Sequence, residues 1–201
     1  MKHALAATFH TAKNQCIIHH IMEHFEKTIS SRRIHEGRII NMREDTVLLP
    51  SGREAKREII EHRGAVCVLP VLDDGSIVMV RQFRKPVEEA LLEIPAGGLN
   101  PDEDPEICAE RELMEECTLR PTRLTRLFSC FLAPGYSSEL IHCFLAEGLE
   151  ESEPCPEEDE NIELEIHTLD ALLAMVDDGR IRDSKTICAL LALYRRRRES
   201  A

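Results

Sequence analysis

The sequence predicts a layered α/β (α+β) sandwich with a mixed β-sheet. Three observations carry this. Short runs of alternating apolar residues fill most of 37–167. One helix-like segment, 105–117, interrupts them. Two further helical segments close the chain, at about 170–178 and 183–198. Strands and helices interleaved in this order must stack in layers to bury an apolar face of each. The chain has 201 residues, which suits one such domain with a small addition.

The first 25 residues carry little pattern. His3, His10, His19, His20 and His24 fall there at irregular spacing, as expected for a polar tail rather than a metal-binding tract. Organised sequence follows Met22, which makes Met22 a candidate start of translation. The tail is expected to reach 36. The segment 37–62, GRIINMREDTVLLPSGREAKREIIEH, reads as antiparallel strands around the turn Pro50-Ser51-Gly52. From 63 to the end lies the main domain. GAVCVLPVLDDGSIVMVRQFR predicts a hairpin on the turn pair Asp74-Gly75. LLEIPAGG predicts a short strand closed by Pro95. Pro105 suits the first turn of a helix whose Ile107, Leu113 and Met114 would face inward. LTRLFSCFLAPG and SELIHCFLAEGL predict a strand pair, and ELEIHTL a strand after an acidic loop.

Composition excludes some functions. The net charge of −12 argues against nonspecific nucleic-acid binding. No apolar run approaches the length that spans a membrane. The N-terminus lacks a secretory signal pattern. The eight cysteines (Cys16, Cys67, Cys108, Cys117, Cys130, Cys143, Cys155, Cys188) form no CxxC pair and several sit in apolar patterns. They read as reduced core thiols of a cytoplasmic protein.

The segment GGLNPDEDPEICAERELMEECTL, 97–119, holds the chemistry. Glu112 and Glu116 stand four apart, on one face of a helix, with Glu115 at its edge. Like charges at this spacing repel. A solvated acidic face is one reading. The other is a pair of oxygen ligands preset for a hard divalent cation such as Mg²⁺, or Mn²⁺ in its place, which would cancel the repulsion. Arg111 can pair with Glu115 at i+4, and Gly97-Gly98 ahead of the helix lets bare backbone approach a ligand.

These residues resemble the Nudix box, G-x5-E-x7-R-E-U-x-E-E-x-G-U, where U is a bulky aliphatic residue. Gly97, Glu103, Arg111, Glu112, Leu113, Glu115, Glu116 and Leu119 match it. The late glycine is Thr118, so the helix is expected to end in another way, with Pro121 as its stop. The resemblance runs from about 36 to 194 and implies an α/β/α sandwich, preceded here by the N-terminal strands. It implies Glu112 and Glu116 as metal ligands with the Ala96 carbonyl, Glu103 holding metal-bound water or orienting Arg111, and Glu115 supporting that shell.

Further stretches are similar to the ADP-ribose pyrophosphatase group. VRQFRKPVEEALLEIPAGG makes Arg84 the candidate phosphate contact. FLAPGYSSE offers Gly135 for close backbone approach and Glu139 for a ribose hydroxyl or the attacking water. PEEDENIELE supplies the base or one more metal ligand from Glu158 or Glu160, with Asp159 third. Arg57 and Glu58 match an RE pair that contributes to the substrate site, often from the partner subunit of a homodimer. The implied activity is Mg²⁺-dependent hydrolysis of ADP-ribose or a related nucleoside diphosphate sugar to AMP and ribose 5-phosphate. GDP-sugars are the alternative substrates, and a non-catalytic ADP-ribose sensor is the alternative of another class.

Overall fold

The structure, a computed structural model, describes residues 25–153 and 161–199. The chain divides into two compact units, Met1–Glu61 and His62–Ala201.

In the first unit three antiparallel strands stand in the order β1-β2-β3. They are β1 Lys27–Glu36, β2 Asn41–Leu48 and β3 Glu54–Glu61. The period-two pattern predicts β2 and β3, and Gly52 closes their turn with its N–H on Leu49 O at 2.9 Å. Strand β1 corrects the expectation that the tail reaches 36. Its sequence KTISSRRIHE lacks apolar alternation and every residue of it is exposed, so hydrophobic patterning gives no signal. The backbone ladder to β2 holds it. Side chains assist: the Ser31 hydroxyl donates to buried Asp45 at 2.6 Å, and Arg43 Nε donates to the same carboxylate at 3.1 Å. Arg33 and Arg43 both pair with Glu61.

The second unit holds two sheets. One has the order β10-β5-β6, the other β7-β4-β9-β8. Their strands are β4 Ala65–Pro70, β5 Ile77–Arg84, β6 Glu89–Glu93, β7 Ala96–Gly98, β8 Leu119–Phe131, β9 Leu140–Glu151 and β10 Ile162–His167. Strands β4 and β9 run parallel and the other pairs antiparallel, so the sheet is mixed as predicted. The helices are α1 Pro105–Cys117, α2 Leu169–Asp177 and α3 Ser184–Glu199.

Side-chain alternation along β4 sets the layers. Val66 and Val68 pack with Cys108, Ala109, Leu113 and Cys117 of α1. Cys67 and Leu69 pack on the other side with Leu172 of α2 and Ala189, Leu190 and Leu193 of α3. The result is helix, sheet, helix. Four of the described cysteines are buried as core thiols, Cys130 is partly buried and Cys188 is exposed.

The expected hairpin across 64–84 does not form. Its turn does: Gly75 N–H reaches Leu72 O at 2.8 Å, with φ at 83°. The two strands then part into different sheets, joined by the single bridge Val71–Ile77. All six residues of β4 and the first four of β5 are buried, so both strands need apolar neighbours on both faces, which one half-exposed hairpin could not supply. LLEIPAGG also divides between sheets, β6 lying beside β5 and β7 beside β4, with Pro95 at the crossing.

Helix α1 begins as its sequence predicts, with Pro105 in the first turn and the Asp104 carboxylate accepting from Glu106 N–H at 2.8 Å. Its inward face differs in phase from the expected one. Ile107 is exposed, while Cys108, Ala109, Glu112, Leu113, Glu116 and Cys117 are buried. Its end differs too. Thr118 takes the left-handed cap position itself, at φ 55° and ψ 35°, with its N–H on Leu113 O and Met114 O. Pro121 lies beyond, inside edge strand β8, where a missing N–H is tolerated. The β-branched residue accepts a strain of about 1–2 kcal/mol there. Its hydroxyl returns part of that by donating to Cys117 O at 2.6 Å. Thr118→Gly is therefore expected to stabilise the protein by about 1 kcal/mol and raise Tm by about 2–4 °C. An unchanged or lower Tm in thermal unfolding would mean that the hydroxyl bond outweighs the strain.

Candidate active site

Glu112 and Glu116 lie on the buried face of α1, 9% and 8% exposed. Both press against β7. Glu116 accepts from Ala96 N–H at 3.0 Å. A Cβ added at Gly97 would stand 2.0 Å from the Glu112 carboxyl carbon, so only a glycine leaves that carboxylate its place. The Gly-Gly strand and the acidic helix turn are thus halves of one construction.

Arg111 compensates the acidic turn. Its Nε and Nη2 donate to Glu103 at 3.0 and 3.2 Å, and Nη1 donates to Glu115 at 2.7 Å. Nη1 also lies 2.7 Å from Glu112. Nη2 reaches Gly98 O at 3.2 Å, which ties the helix to β7 again. The Arg111 hydrogen bonds hold the Glu103 carboxyl down at about 2, with help from Asn100 N–H. The Glu103 carboxylate thus meets the Arg111 guanidinium directly. Burial pushes the nearby Cys108 thiol up to about 12, so it stays protonated and is no nucleophile.

Arg84, at the end of β5, grips Glu93 with Nε and Nη2, both at 2.9 Å. This pair raises the Arg84 pKa, and the charge of Glu116 on α1 adds to it. The sequence pattern around Arg84 does not single out Glu93, whose partnership with Arg84 only the fold reveals. Glu139 sits on the β8–β9 connection with His62 Nδ1 at 3.9 Å. Gly135 is exposed in the same connection, in a turn where Tyr136 N–H reaches Ala133 O at 3.1 Å. Arg57 donates to Glu26 at 2.8 and 2.5 Å within the N-terminal unit, and Glu58 is exposed on β3. Glu158, Asp159 and Glu160 lie outside the described residues. Among the described residues the structure therefore gathers Glu103, Arg111, Glu112, Glu115 and Glu116 against 96–98, with Arg84 near, while Gly135 and Glu139 belong to a separate loop.

Two hard oxygen donors one helical turn apart, beside bare backbone, suit a small divalent cation. Among the described residues no three His, Cys, Asp or Glu side chains converge as a complete metal cage.

The family model described as NUDIX domain matches 61–190, and one described as nucleoside diphosphate sugar hydrolase N-terminal domain matches 26–60. The chain is 44% identical to an ADP-ribose pyrophosphatase of Bacillus subtilis (strain 168) and 42% to a methanol dehydrogenase activator of Bacillus methanolicus. Each match covers 82% of this chain and 90% of the relative. It is 38% identical to a GDP-mannose pyrophosphatase of Yersinia pestis (strain Pestoides F), over 67% of this chain and 72% of the relative. A crystal structure of an ADP compounds hydrolase superposes with TM-score 0.79 at 20% identity, covering 88% of this chain and 96% of that one. With the box residues assembled on α1 and β7, and with relatives this similar over most of both lengths, the chain belongs to the Nudix hydrolase family.

Proposed function

We propose that the chain hydrolyses the pyrophosphate bond of ADP-ribose or a related nucleoside diphosphate sugar, yielding AMP and ribose 5-phosphate from ADP-ribose. The observation that carries this is the pinning of the Glu112 and Glu116 carboxylates against Gly97 and Ala96, with Arg111 and Glu103 fixing the turn. Glu112, Glu116 and the Ala96 carbonyl would hold Mg²⁺ (or Mn²⁺), with Glu160 as a further donor. When bound, such an ion neutralises phosphate charge and lowers the pKa of water. The protein positions the rest. Arg84 contacts a phosphate, and Glu139 with the backbone at Gly135 holds the ribose or the attacking water. Glu158 or Glu160 takes the proton from that water. The water oxygen bonds to one phosphorus, the bridging P–O bond breaks, and two phosphate monoesters leave.

The test offers ADP-ribose and a panel including GDP-mannose, with Mg²⁺ and a phosphatase that acts only on monoesters. Phosphate release with ADP-ribose, abolished by EDTA, supports the reading, and release only with GDP-mannose moves it to the alternative suggested by the Yersinia relative. No release from any of them would sink it in favour of a non-catalytic role. The Bacillus methanolicus relative supports a second reading, regulation of a dehydrogenase. Stimulation of an alcohol dehydrogenase by the Glu112→Gln protein as strongly as by the parent would favour regulation without hydrolysis.

We also propose a homodimer in the cytoplasm, with no nucleic-acid or membrane partner. In the N-terminal unit Phe25, Ile29, Ile34, Ile39 and Ile40 are exposed, and a small sheet of this kind needs a covering surface. A second copy provides it with twofold symmetry. Among the described residues no helix is long and apolar enough to cross a membrane. The full chain is expected to sediment as a dimer. Mixing an Arg57→Ala subunit with a Glu112→Gln subunit should restore activity if Arg57 and Glu58 serve the partner's site. An active monomer would overturn the assembly, and an inactive mixture would return Arg57 to its own subunit.

A further inference from the structure

A buried network of charges joins the first turn of α3 to the strands that present the active-site backbone. Glu93, 1% exposed, takes the bidentate grip of Arg84 on one side. On the other side it takes the ammonium of Lys185, which is 7% exposed. Lys185 also lies 3.0 Å from Asp183. Asp183 accepts from the Thr186 hydroxyl at 2.6 Å and from Thr186 N–H at 3.0 Å. Thr186 Oγ1 in turn accepts from Ile94 N–H at 2.9 Å. Ile94 and Pro95 lead directly into Ala96 and Gly97, against which Glu116 and Glu112 rest.

The charges decide what this network does. A carboxylate as buried as Glu93 needs cationic partners to remain ionised. Burial raises its pKa, and Arg84 and Lys185 together outweigh that and leave it lowered. Two carboxylates face two cations, so the cluster is neutral. Were Arg84 the sole cation on Glu93, most of its charge would be spent there. Lys185 shares Glu93, so the Arg84 guanidinium keeps positive potential to offer outward while its Nε edge stays fixed. A guanidinium held on one edge by a bidentate carboxylate is also pre-organised, which lowers the ordering cost of binding an anion.

We propose that Lys185 is a positioning residue for substrate binding: acting through Glu93, it holds Arg84 in place for the pyrophosphate of the nucleoside diphosphate. This rests on the reading of Arg84 as a phosphate contact. Nothing in the local sequence signals the role, since Lys185 and Glu93 are separated by 92 positions.

The test is a double-mutant cycle on the full chain with ADP-ribose and Mg²⁺. Arg84→Ala is expected to raise KM by about tenfold or more, as loss of a charge-assisted phosphate contact does. Lys185→Met is expected to raise KM by about 3–10-fold with kcat within about twofold. In the Arg84→Ala background, Lys185→Met should add nothing to KM, because residues acting through one another are not additive. A merely structural role would lower Tm and kcat alike and would persist in that background. If Lys185→Met does not fold, Lys185→Gln, which keeps a hydrogen-bond donor and loses the charge, is read by the same criteria. Unchanged KM in Arg84→Ala would overturn the phosphate reading and the proposal with it. A raised KM in Arg84→Ala, with Lys185→Met either leaving KM unchanged in the otherwise parental chain or raising it further in the Arg84→Ala background, would overturn the positioning role alone.

Discussion

Glu112→Gln and Glu116→Gln are each expected to lower kcat by about 10³-fold, the several kcal/mol that a metal ion contributes to stabilising charge in such transition states. The fold should survive both. Glu116 accepts a hydrogen bond from Ala96 N–H, and a glutamine carbonyl can accept the same bond. At position 112 the substitution removes one of three carboxylates crowded around Arg111 and leaves Glu103 and Glu115 on its guanidinium. Unchanged near-ultraviolet dichroism, a Tm within a few degrees of the parent and a raised Mg²⁺ requirement are the expected accompaniments. A variant that turns over ADP-ribose at nearly the parental rate would remove Glu112 or Glu116 from the ligand set.

Gly97→Ala should inactivate almost as thoroughly without touching a charged group. The added methyl would lie 2.0 Å from the Glu112 carboxyl carbon and 2.1 Å from both its oxygens. The atoms in its way are the end of a flexible side chain, so the carboxylate swings aside and the backbone need not move. The stability cost is expected to be small, about 1 kcal/mol. The catalytic cost is large, because displacing a reacting group by about 1 Å can cost about 10²-fold. Gly98→Ala is the control: a Cβ there meets nothing within 4 Å. Equal activity loss in both variants would mean that strand β7 tolerates no side chain for other reasons, and full activity in Gly97→Ala would show that Glu112 functions from another position.

The site was legible where its chemistry is local. Gly97, Glu103, Arg111, Glu112, Glu115 and Glu116 fall within twenty residues, and helix periodicity alone puts Glu112 and Glu116 on one face. The phase of that face was harder to read, because burying two glutamates beside Cys108 and Ala109 looks unfavourable until the glycine strand opposite is seen. The late cap was misjudged because Thr118 breaks the usual preference for glycine, and the strain that argues against it is accepted. Pairing of strands was the least legible feature. Asp74-Gly75 is a sound turn, yet which sheet each arm joins depends on residues far along the chain. Strand β1 escaped notice because nothing in it is buried. Glu93 and Lys185 carry no local signature, since their meaning arises only where α3 meets the strands.

The division of β4 and β5 between sheets has a consequence for how the chain reaches its native state. The partners of β4 are β7 and the parallel strand β9, whose Cys143 stands in register with Cys67. As the polypeptide emerges from the ribosome, β4 and β5 appear early and apolar on both faces, with no sheet to complete. The larger sheet cannot close until β9 is out, and the smaller must wait for β10. Pairings so distant in sequence slow folding and prolong the exposure of sticky strands. The domain should therefore refold slowly and depend on chaperones at high expression.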